Sequence, residues 1–222
     1  MNCLAHAIRF LDEPWFVAGA CLPDWLSMCD RKVRLRPKHV DPISQRAESL
    51  PASILARGIQ QHWHDDDWFH RTPAFHSVSN QIGQLFKNAF DADDNFRAGF
   101  LGHIATELLI DGLLSVRHPT ALDDYYNAIE QIDPHELQRL VNAFGAKTTE
   151  NIVPFLARYN AAQFLRDYAD DERLLFRLNQ VLHRVRLPQL PGAAVPVVAE
   201  SRVVVDNQLV ELISSDILSG RA

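Results

Sequence analysis

The sequence predicts an all-α protein that folds as a single multi-helix bundle. Apolar residues recur at helical spacing, three and four positions apart, along most of the 222 residues. Glycine is scarce, with 9 residues, and the one Asp-Gly pair, Asp111-Gly112, lies inside a helical pattern and not in a hairpin turn. These observations argue against a mainly β protein.

Helix-start residues and apolar spacing define the helices of the first half of the chain. Pro51 suits the first turn of a long helix, and Pro73 suits the start of the next one. Pro23 is expected to break the second helix, and the charged stretch 30–50 is expected to be a loop. The helices expected here cover residues 3–12, 15–28, 51–70, 73–89 and 95–117.

The helix over 95–117 is the most apolar in the chain, so we expect it to be central, with Asp91 to Asp94 as its cap. Further on, the stretch 187–196 holds three prolines and is expected to be irregular. The last segment, 197–217, is ambiguous, because Val203 to Val205 favours a strand while the leucine and isoleucine spacing favours the helix that we prefer. The other helices expected in this half cover residues 120–131, 134–144, 149–166 and 171–186.

Length and composition are those of an ordinary globular domain, with 47% hydrophobic and 23% charged residues. We expect a single α-helical domain over residues 1–222. In this interpretation residues 1–118 form the core and residues 119–222 add a further helical layer.

The charge argues against general binding of polyanions. The chain has 22 basic and 28 acidic residues, a net charge of −6, whereas nucleic-acid backbones are held by clustered Lys and Arg. We therefore expect no nucleic-acid partner. One basic stretch is expected to be a solvated loop or, alternatively, a small site for a phosphorylated or acidic partner. Its cations are Arg31, Lys32, Arg34, Arg36 and Lys38.

Cysteine usage and the first residues predict a cytoplasmic protein. Cys3, Cys21 and Cys29 are odd in number and cannot all pair, as is usual in a reducing compartment. The apolar segment 15–22 is too short to cross a bilayer, so we expect no membrane span.

Histidine and carboxylate residues recur four positions apart in two places, and six of the ten histidines lie between residues 62 and 118. Burying a carboxylate costs several kcal/mol unless it is paired or coordinated, so the acidic residues of the most apolar helix need compensation. A divalent metal ion supplies it. The two sets are His62, Asp66 and His70, and then His103, Glu107 and Asp111.

Helix geometry decides which of these side chains can share one ion. Residues eight apart lie about 12 Å apart along a helix axis, too far for one metal. The candidate pairs are therefore His62 with Asp66, and Glu107 with either His103 or Asp111. Two facing helices that each supply such a pair would build a site for one or two ions.

Structural interpretations of the same residues stay open at this point. The first set can be a solvated surface pair, with Asp65 to Asp67 mostly exposed, and the second can be a buried hydrogen-bond network. Neither alternative involves a metal ion.

Four short motifs follow one another over residues 1–118. They are Met1-Asn2-Cys3-Leu4-Ala5-His6, Gly19-Ala20-Cys21-Leu22-Pro23-Asp24, Gly58-Ile59-Gln60-Gln61-His62 with Asp66, and Glu107 with Asp111. Their order and spacing resemble acyl carrier protein phosphodiesterases, and the second motif also resembles zinc-dependent phospholipase C-like proteins. Both families look like relatives of the HD-type metal phosphohydrolases, so the resemblance implies an HD-like helical core with extra C-terminal helices.

The resemblance implies metal-dependent hydrolysis of a phosphodiester. The segment 69–73 departs from the family pattern Thr-Asp-x-His-Pro, because only Pro73 matches, and Gly112 stands where a histidine is expected. His70 can replace the missing acidic ligand, while the substrate is left open. Carried over by position, the metal ligands or their immediate neighbours are His6, Asp24, His62, Asp66 and Asp111.

The leading hypothesis is a phosphodiesterase-like, metal-dependent hydrolase of a small-molecule or protein-linked phosphoester. A divalent ion (Mn, Zn, Fe or Mg) would activate water, and His103 and His70 would act as general acid and base or as further ligands. Arg71, or a residue of the basic stretch 31–38, would bind the substrate phosphate. The expected metal ligands are His6, Asp24, His62, Asp66, Glu107 and Asp111.

Two other functions stay open. The chain can be a non-catalytic helical protein whose polar stripes form a buried structural network. It can also be a di-iron or manganese bundle with redox chemistry, although the Glu-x-x-His repeats of such bundles are missing from the sequence.

Overall fold

A computed structural model describes residues 1–45, 50–90 and 97–220 of the chain. Every regular element in these ranges is helical, which confirms the all-α, multi-helix class. The first six α-helices are α1 (Cys3–Ala7), α2 (Pro14–Cys29), α3 (Pro37–Ser44), α4 (Leu50–Phe69), α5 (Pro73–Ala89) and α6 (Ala98–Arg117). Then follow α7 (Ala121–Glu130), α8 (Pro134–Phe144), α9 (Ile152–Ala162), α10 (Asp171–Arg184), α11 (Val195–Asn207), α12 (Leu209–Leu212) and α13 (Ser215–Ser219). Short 3₁₀ helices cover Ile8–Phe10, Phe164–Ala169 and Gly192–Ala194.

Two expectations about prolines are wrong. Pro23 does not break the second helix, because α2 continues through it to Cys29. Buried residues on both sides of Pro23, among them Leu22 and Trp25, hold the helix across the missing backbone donor. The stretch 30–50 is also not wholly a loop, since α3 begins at Pro37, in the first turn where proline fits a helix.

The end of the chain is helical, as preferred, but it forms three short helices and not one. Val203 to Val205 lie within α11, which packs against α5, α6 and α10, so tertiary packing overrides the strand preference of these valines. The cap expected at Asp91 to Asp94 lies outside the described residues. The residue before α6 is Arg97, which has a left-handed backbone with φ of 51°.

The chain divides into two compact units, and the expected layers 1–118 and 119–222 cut across both. The first unit contains the described residues of 1–67 and 120–164, with Gly220. Here α1, α7 and α9 pack on α2. Between these helices the hydroxyl oxygens of Tyr125 and Tyr159 lie 2.7 Å apart.

The crossing of α2 and α4 in the first unit depends on two glycines. A Cβ atom on Gly19 would overlap the Leu55 carbonyl oxygen, and one on Gly58 would overlap the Phe16 carbonyl oxygen. The absence of both side chains lets the two backbones touch. One consequence is that the His62 ring of α4 reaches the Ala20 carbonyl of α2.

The second unit contains the described residues of 68–119 and 165–219. Its main contact is between α5 and α6, where the hydroxyl oxygens of Ser79 and Thr106 lie 3.4 Å apart. Helices α10 and α11 also pack on α6. The most apolar helix is therefore central within its unit.

Among the described helices, α6 is long and apolar enough to cross a bilayer by length and composition alone. Buried core helices pass the same test, and 61% of its most apolar window is buried in the protein. The packing of α5, α10 and α11 on α6 accounts for its apolar character.

We predict that Gly58→Ala lowers the free energy of unfolding by about 1–3 kcal/mol, because the added methyl group forces two backbones apart. Gly99→Ala is the matched control, since nothing lies within 4 Å of a Cβ at this exposed helical position. That change should leave stability unchanged or raise it by about 0.5–1 kcal/mol. Urea unfolding of both variants measures the difference, and equal effects would contradict the close crossing of α2 and α4.

Candidate functional site

In the first unit, His6, His62 and Asp66 form a compact cluster, which we call the His–His–Asp group. Each residue offers one ligand atom, and these atoms lie within 4.8 Å of one another. His6 Nε2 is 3.3 Å from Asp66 Oδ1, and His62 Nε2 is 3.4 Å from Asp66 Oδ2. The two imidazole rings are stacked, with centroids 4.0 Å apart.

A hydrogen bond to the backbone of α2 fixes the orientation of the His62 ring. Its Nδ1 lies 2.8 Å from the Ala20 carbonyl oxygen, and a carbonyl can only accept, so Nδ1 donates and carries a proton. Nε2 is then the nitrogen directed at Asp66. Burial acts to lower the pKa of His62, but Asp66 and then Asp24 raise it above its ordinary value.

His6 is the least satisfied polar side chain of the group. It lies on α1 and has no exposed surface. Neither ring nitrogen forms a hydrogen bond with any group in the described part of the chain, although carboxylate oxygens lie near both. A buried polar atom without a hydrogen bond is rare and requires an explanation.

Asp65 supports His6 from the other side. Its Oδ2 lies 3.7 Å from His6 Nδ1 and accepts from Arg9, while its Oδ1 accepts from Gln61 Nε2 at 2.8 Å. Burial acts to raise the pKa of Asp65, but His6 and Arg9 hold it below its ordinary value. The expectation that this residue is exposed is wrong, because Asp65 lies three positions after His62 and therefore on the same buried face of α4.

Asp66 and Asp24, the two other carboxylates close to His6 and His62, have opposite pKa shifts. Burial acts to raise the pKa of Asp66, but His6 and His62 hold it well below its ordinary value. The Met1 amino nitrogen also lies 2.7 Å from Asp66 Oδ1. Burial raises the pKa of Asp24, although His62 and His6 act to lower it. Asp24 is therefore a neighbour of the group that can hold a proton.

In the second unit, His70, His103 and Glu107 form the His–Glu–His group. Glu107 Oε1 lies 2.9 Å from His70 Nε2 and 3.0 Å from His103 Nε2, so one oxygen accepts from both rings. Phe75 contacts both rings, with centroids 5.0 Å from His70 and 4.9 Å from His103. Burial acts to raise the pKa of Glu107, but the positive charge of the amino terminus and then the hydrogen bonds from His103 and His70 hold it below its ordinary value.

Six of the nine residues expected in the site lie in the two groups, and they divide equally between them. Asp24, Arg71 and Asp111 belong to neither group in the described ranges. His70 follows the end of α4 and contacts Glu107, so the predicted stripe of three residues on that helix supplies only His62 and Asp66 to one group. Asp111 is buried one turn after Glu107 and belongs to neither group in the described chain. Arg71 is exposed and follows His70 directly. Their roles stay predictions.

Three further groups contact the His–His–Asp group or its neighbours and were not predicted from the sequence. They are Arg9, Asp65 and the Ala20 carbonyl. The spacing of Asp65 from His62 was a usable signal for one of them. Arg9 and Ala20 carry no local signal, because their part depends on which helices meet.

Comparisons of the chain with protein-family models, with curated proteins and with solved structures gave no match. The resemblance to acyl carrier protein phosphodiesterases therefore stays a prediction.

We predict that Glu107→Gln costs about 1–3 kcal/mol of unfolding free energy at pH 7, because two half-buried imidazole donors lose a charged acceptor. The folded-state pKa of Glu107 is depressed, so its contribution is present above its ordinary value of 4.5 and is lost as the pH falls below that value. The difference between wild type and variant should therefore shrink towards zero in acid. Chemical unfolding at several pH values between 7 and 3 measures it.

Glu136→Gln is the control, because Glu136 forms an exposed ion pair with Arg139. Its effect should be smaller than that of Glu107→Gln at pH 7. A pH-independent difference for Glu107→Gln would contradict the assignment of a charged Glu107 between two histidines.

Proposed function

We propose that the His–His–Asp group holds one divalent metal ion and that the protein is a metal-dependent hydrolase of a phosphoester. The proposal depends mainly on His6. Its imidazole is fully buried, and neither ring nitrogen has a hydrogen bond in the described chain. Metal coordination at Nε2 would satisfy one nitrogen and fix the proton on the other, next to Asp65.

The donor set supports some ions over others. Two imidazole nitrogens and one carboxylate suit Zn²⁺, Mn²⁺ or Fe²⁺, whereas Mg²⁺ prefers oxygen ligands throughout. Three protein ligands also leave coordination positions for water and substrate, as in catalytic zinc sites. We therefore rank Mg²⁺ last among the four candidate ions.

The surrounding residues have the arrangement that metal-binding histidines usually have. The His62 proton on Nδ1 is held by the Ala20 carbonyl, which leaves the Nε2 lone pair for a metal. Asp65, held in turn by Arg9 and Gln61, offers the equivalent support to His6. When bound, the ion would lower the pKa of a water molecule and stabilise charge on phosphate oxygens.

Asp24 supports a proton-transfer step in the same unit. Burial raises the pKa of its carboxyl, and a carboxyl with a raised pKa can donate a proton to a leaving group near neutral pH. In the resemblance Asp24 is a ligand or a neighbour of the ligands. We favour the neighbouring, proton-donating role, because Asp24 is not among the residues whose ligand atoms lie within 4.8 Å.

The His–Glu–His group has a different chemical character. Glu107 already accepts hydrogen bonds from both histidines, so its carboxylate has polar partners without an ion. Such a group can move protons through its imidazoles, in line with the acid–base roles expected for His70 and His103. Its two imidazoles and one carboxylate would also accept a metal, as predicted for Glu107.

The structural alternative explains the second group better than the first. In a buried hydrogen-bond network each polar side chain should have a hydrogen-bond partner. Glu107 has such partners, whereas His6 has none in the described chain. The redox alternative has less support, because each group found among the described residues has one carboxylate, whereas carboxylate-bridged di-iron bundles use several. We propose a phosphoester as the substrate because of the motif resemblance alone. We also propose a cytoplasmic location.

We predict that the purified protein hydrolyses bis-p-nitrophenyl phosphate only with a bound divalent ion. His62→Ala and Asp66→Asn should each lower kcat/KM by at least about 100-fold, because each removes a metal ligand. The neighbouring exposed residues offer matched controls, His64→Ala and Asp67→Asn, which should retain wild-type turnover. Release of p-nitrophenolate and metal content by mass spectrometry are the measurements.

Two results would contradict the proposal. If the protein contains no stoichiometric metal and unfolds identically after chelation, the group is a structural network. If turnover is metal-dependent but equal in all four variants, the reaction takes place elsewhere.

A further inference from the structure

The basic stretch 31–38 has no ion pair with the described part of this acidic protein. None of its five cations forms an ion pair with any residue in the described ranges, although the chain has six more acidic than basic residues. Positive charge is therefore concentrated in one place in the first unit. A binding site beside this positive charge would favour an anionic ligand.

A cavity of about 350 Å³ lies beside residues 31–35 of this stretch. It is formed by the C-terminal half of α2, the loop that follows and one side chain of α4, all in the first unit. Its size is near the lower end of the range for small-molecule sites, about 300–1,000 Å³. The side chains that matter for a ligand are Leu26, Arg31, Val33, Arg34, Leu35 and Trp63.

The cavity combines an apolar wall with two cations. Trp63 and Leu35 are half-buried and Leu26 is buried, so they present a flat ring and aliphatic carbon. Arg31 and Arg34 line the same space. Guanidinium groups bind tetrahedral anions through paired donors, and an indole face stacks on flat ligands.

The loop that carries both arginines is held in place. Asp30 accepts from the Lys32 backbone N–H at 3.2 Å and from the Thr149 hydroxyl at 2.9 Å, which ties the loop to the residues before α9. Val33, between the two arginines, is buried. The loop is therefore fixed at its start and its middle, which lowers the entropy cost of binding.

Arg31 is positioned further by its own side chain. Its Nε donates to the Ser27 carbonyl oxygen at 3.2 Å, and this is its one hydrogen bond to the described chain. The terminal nitrogens of Arg31 are therefore left for a ligand. Arg34 forms no hydrogen bond or ion pair within the same described ranges.

We propose that this cavity binds the non-reacting part of the substrate, a flat apolar or aromatic group that carries its own anionic group. Trp63 stacks on the ring, and Arg31 and Arg34 bind the anion. This inference rests on the proposed function, because the ligand is a substrate only if the protein is a hydrolase. It adds the chemical class of that substrate. The cavity lies on α2 and α4, the helices that carry Asp24, His62 and Asp66.

Binding of 1-naphthalenesulfonate tests the proposal, because this probe has a flat ring and a tetrahedral anion but no phosphoester bond. Calorimetric titration of the full chain should detect binding both with Mn²⁺ and after chelation. Arg31→Gln with Arg34→Gln should weaken it at least tenfold. The matched control, Arg36→Gln with Lys38→Gln, removes the same charge from the same stretch outside the cavity and should weaken it less than twofold.

Trp63→Ala should weaken 1-naphthalenesulfonate binding at least fivefold and leave inorganic sulfate binding unchanged, whereas Trp63→Phe should retain most of the affinity. Equal weakening by the two double variants would show general charge attraction and overturn the proposal. Absence of probe binding to the wild type would also overturn it. If metal-dependent hydrolysis persists without probe binding, only this inference fails, and if the probe binds without hydrolysis, only the proposed function fails.

Discussion

The burial of two stacked imidazole rings against one carboxylate is the constraint on which the first unit depends. His6 and His62 lie 4.0 Å apart beside Asp66, in a place that α1, α2 and α4 create together. Two protonated rings at this distance would repel each other, and two neutral rings would leave buried nitrogens unsatisfied. A divalent cation held at this group, as we propose, would accept a lone pair from each ring and so would remove both problems.

Each histidine group contains two imidazoles and one carboxylate, but the two groups differ in how their polar atoms are hydrogen-bonded. In the His–Glu–His group one carboxylate oxygen accepts from both imidazoles, so no further partner is required. In the His–His–Asp group the rings stack on each other and lie alongside the carboxylate oxygens. The residue types alone therefore do not distinguish the two groups, and the different roles that we propose for them rest on their different hydrogen-bond geometry.

The fold class and the contacts within one helix were predictable from the sequence, and the contacts between helices were not. Four-residue spacing correctly paired His62 with Asp66 and His103 with Glu107, because both pairs lie within one helix. The spacing could not show where His70 lies, since α4 ends at Phe69 and the turn that follows carries the His70 ring to Glu107. The approach of α2 to α4 at Gly19 and Gly58 depends on close packing that no local pattern encodes.

Anomalous diffraction from crystals grown with Mn²⁺ would show whether the His–His–Asp group binds a metal ion. We expect one strong peak about 2.0–2.3 Å from His6 Nε2, His62 Nε2 and an Asp66 oxygen. A fully occupied Mn²⁺ site elsewhere, with no peak at this group, would contradict metal binding here. So would a crystal structure in which both nitrogens of His6 are hydrogen-bonded to protein groups.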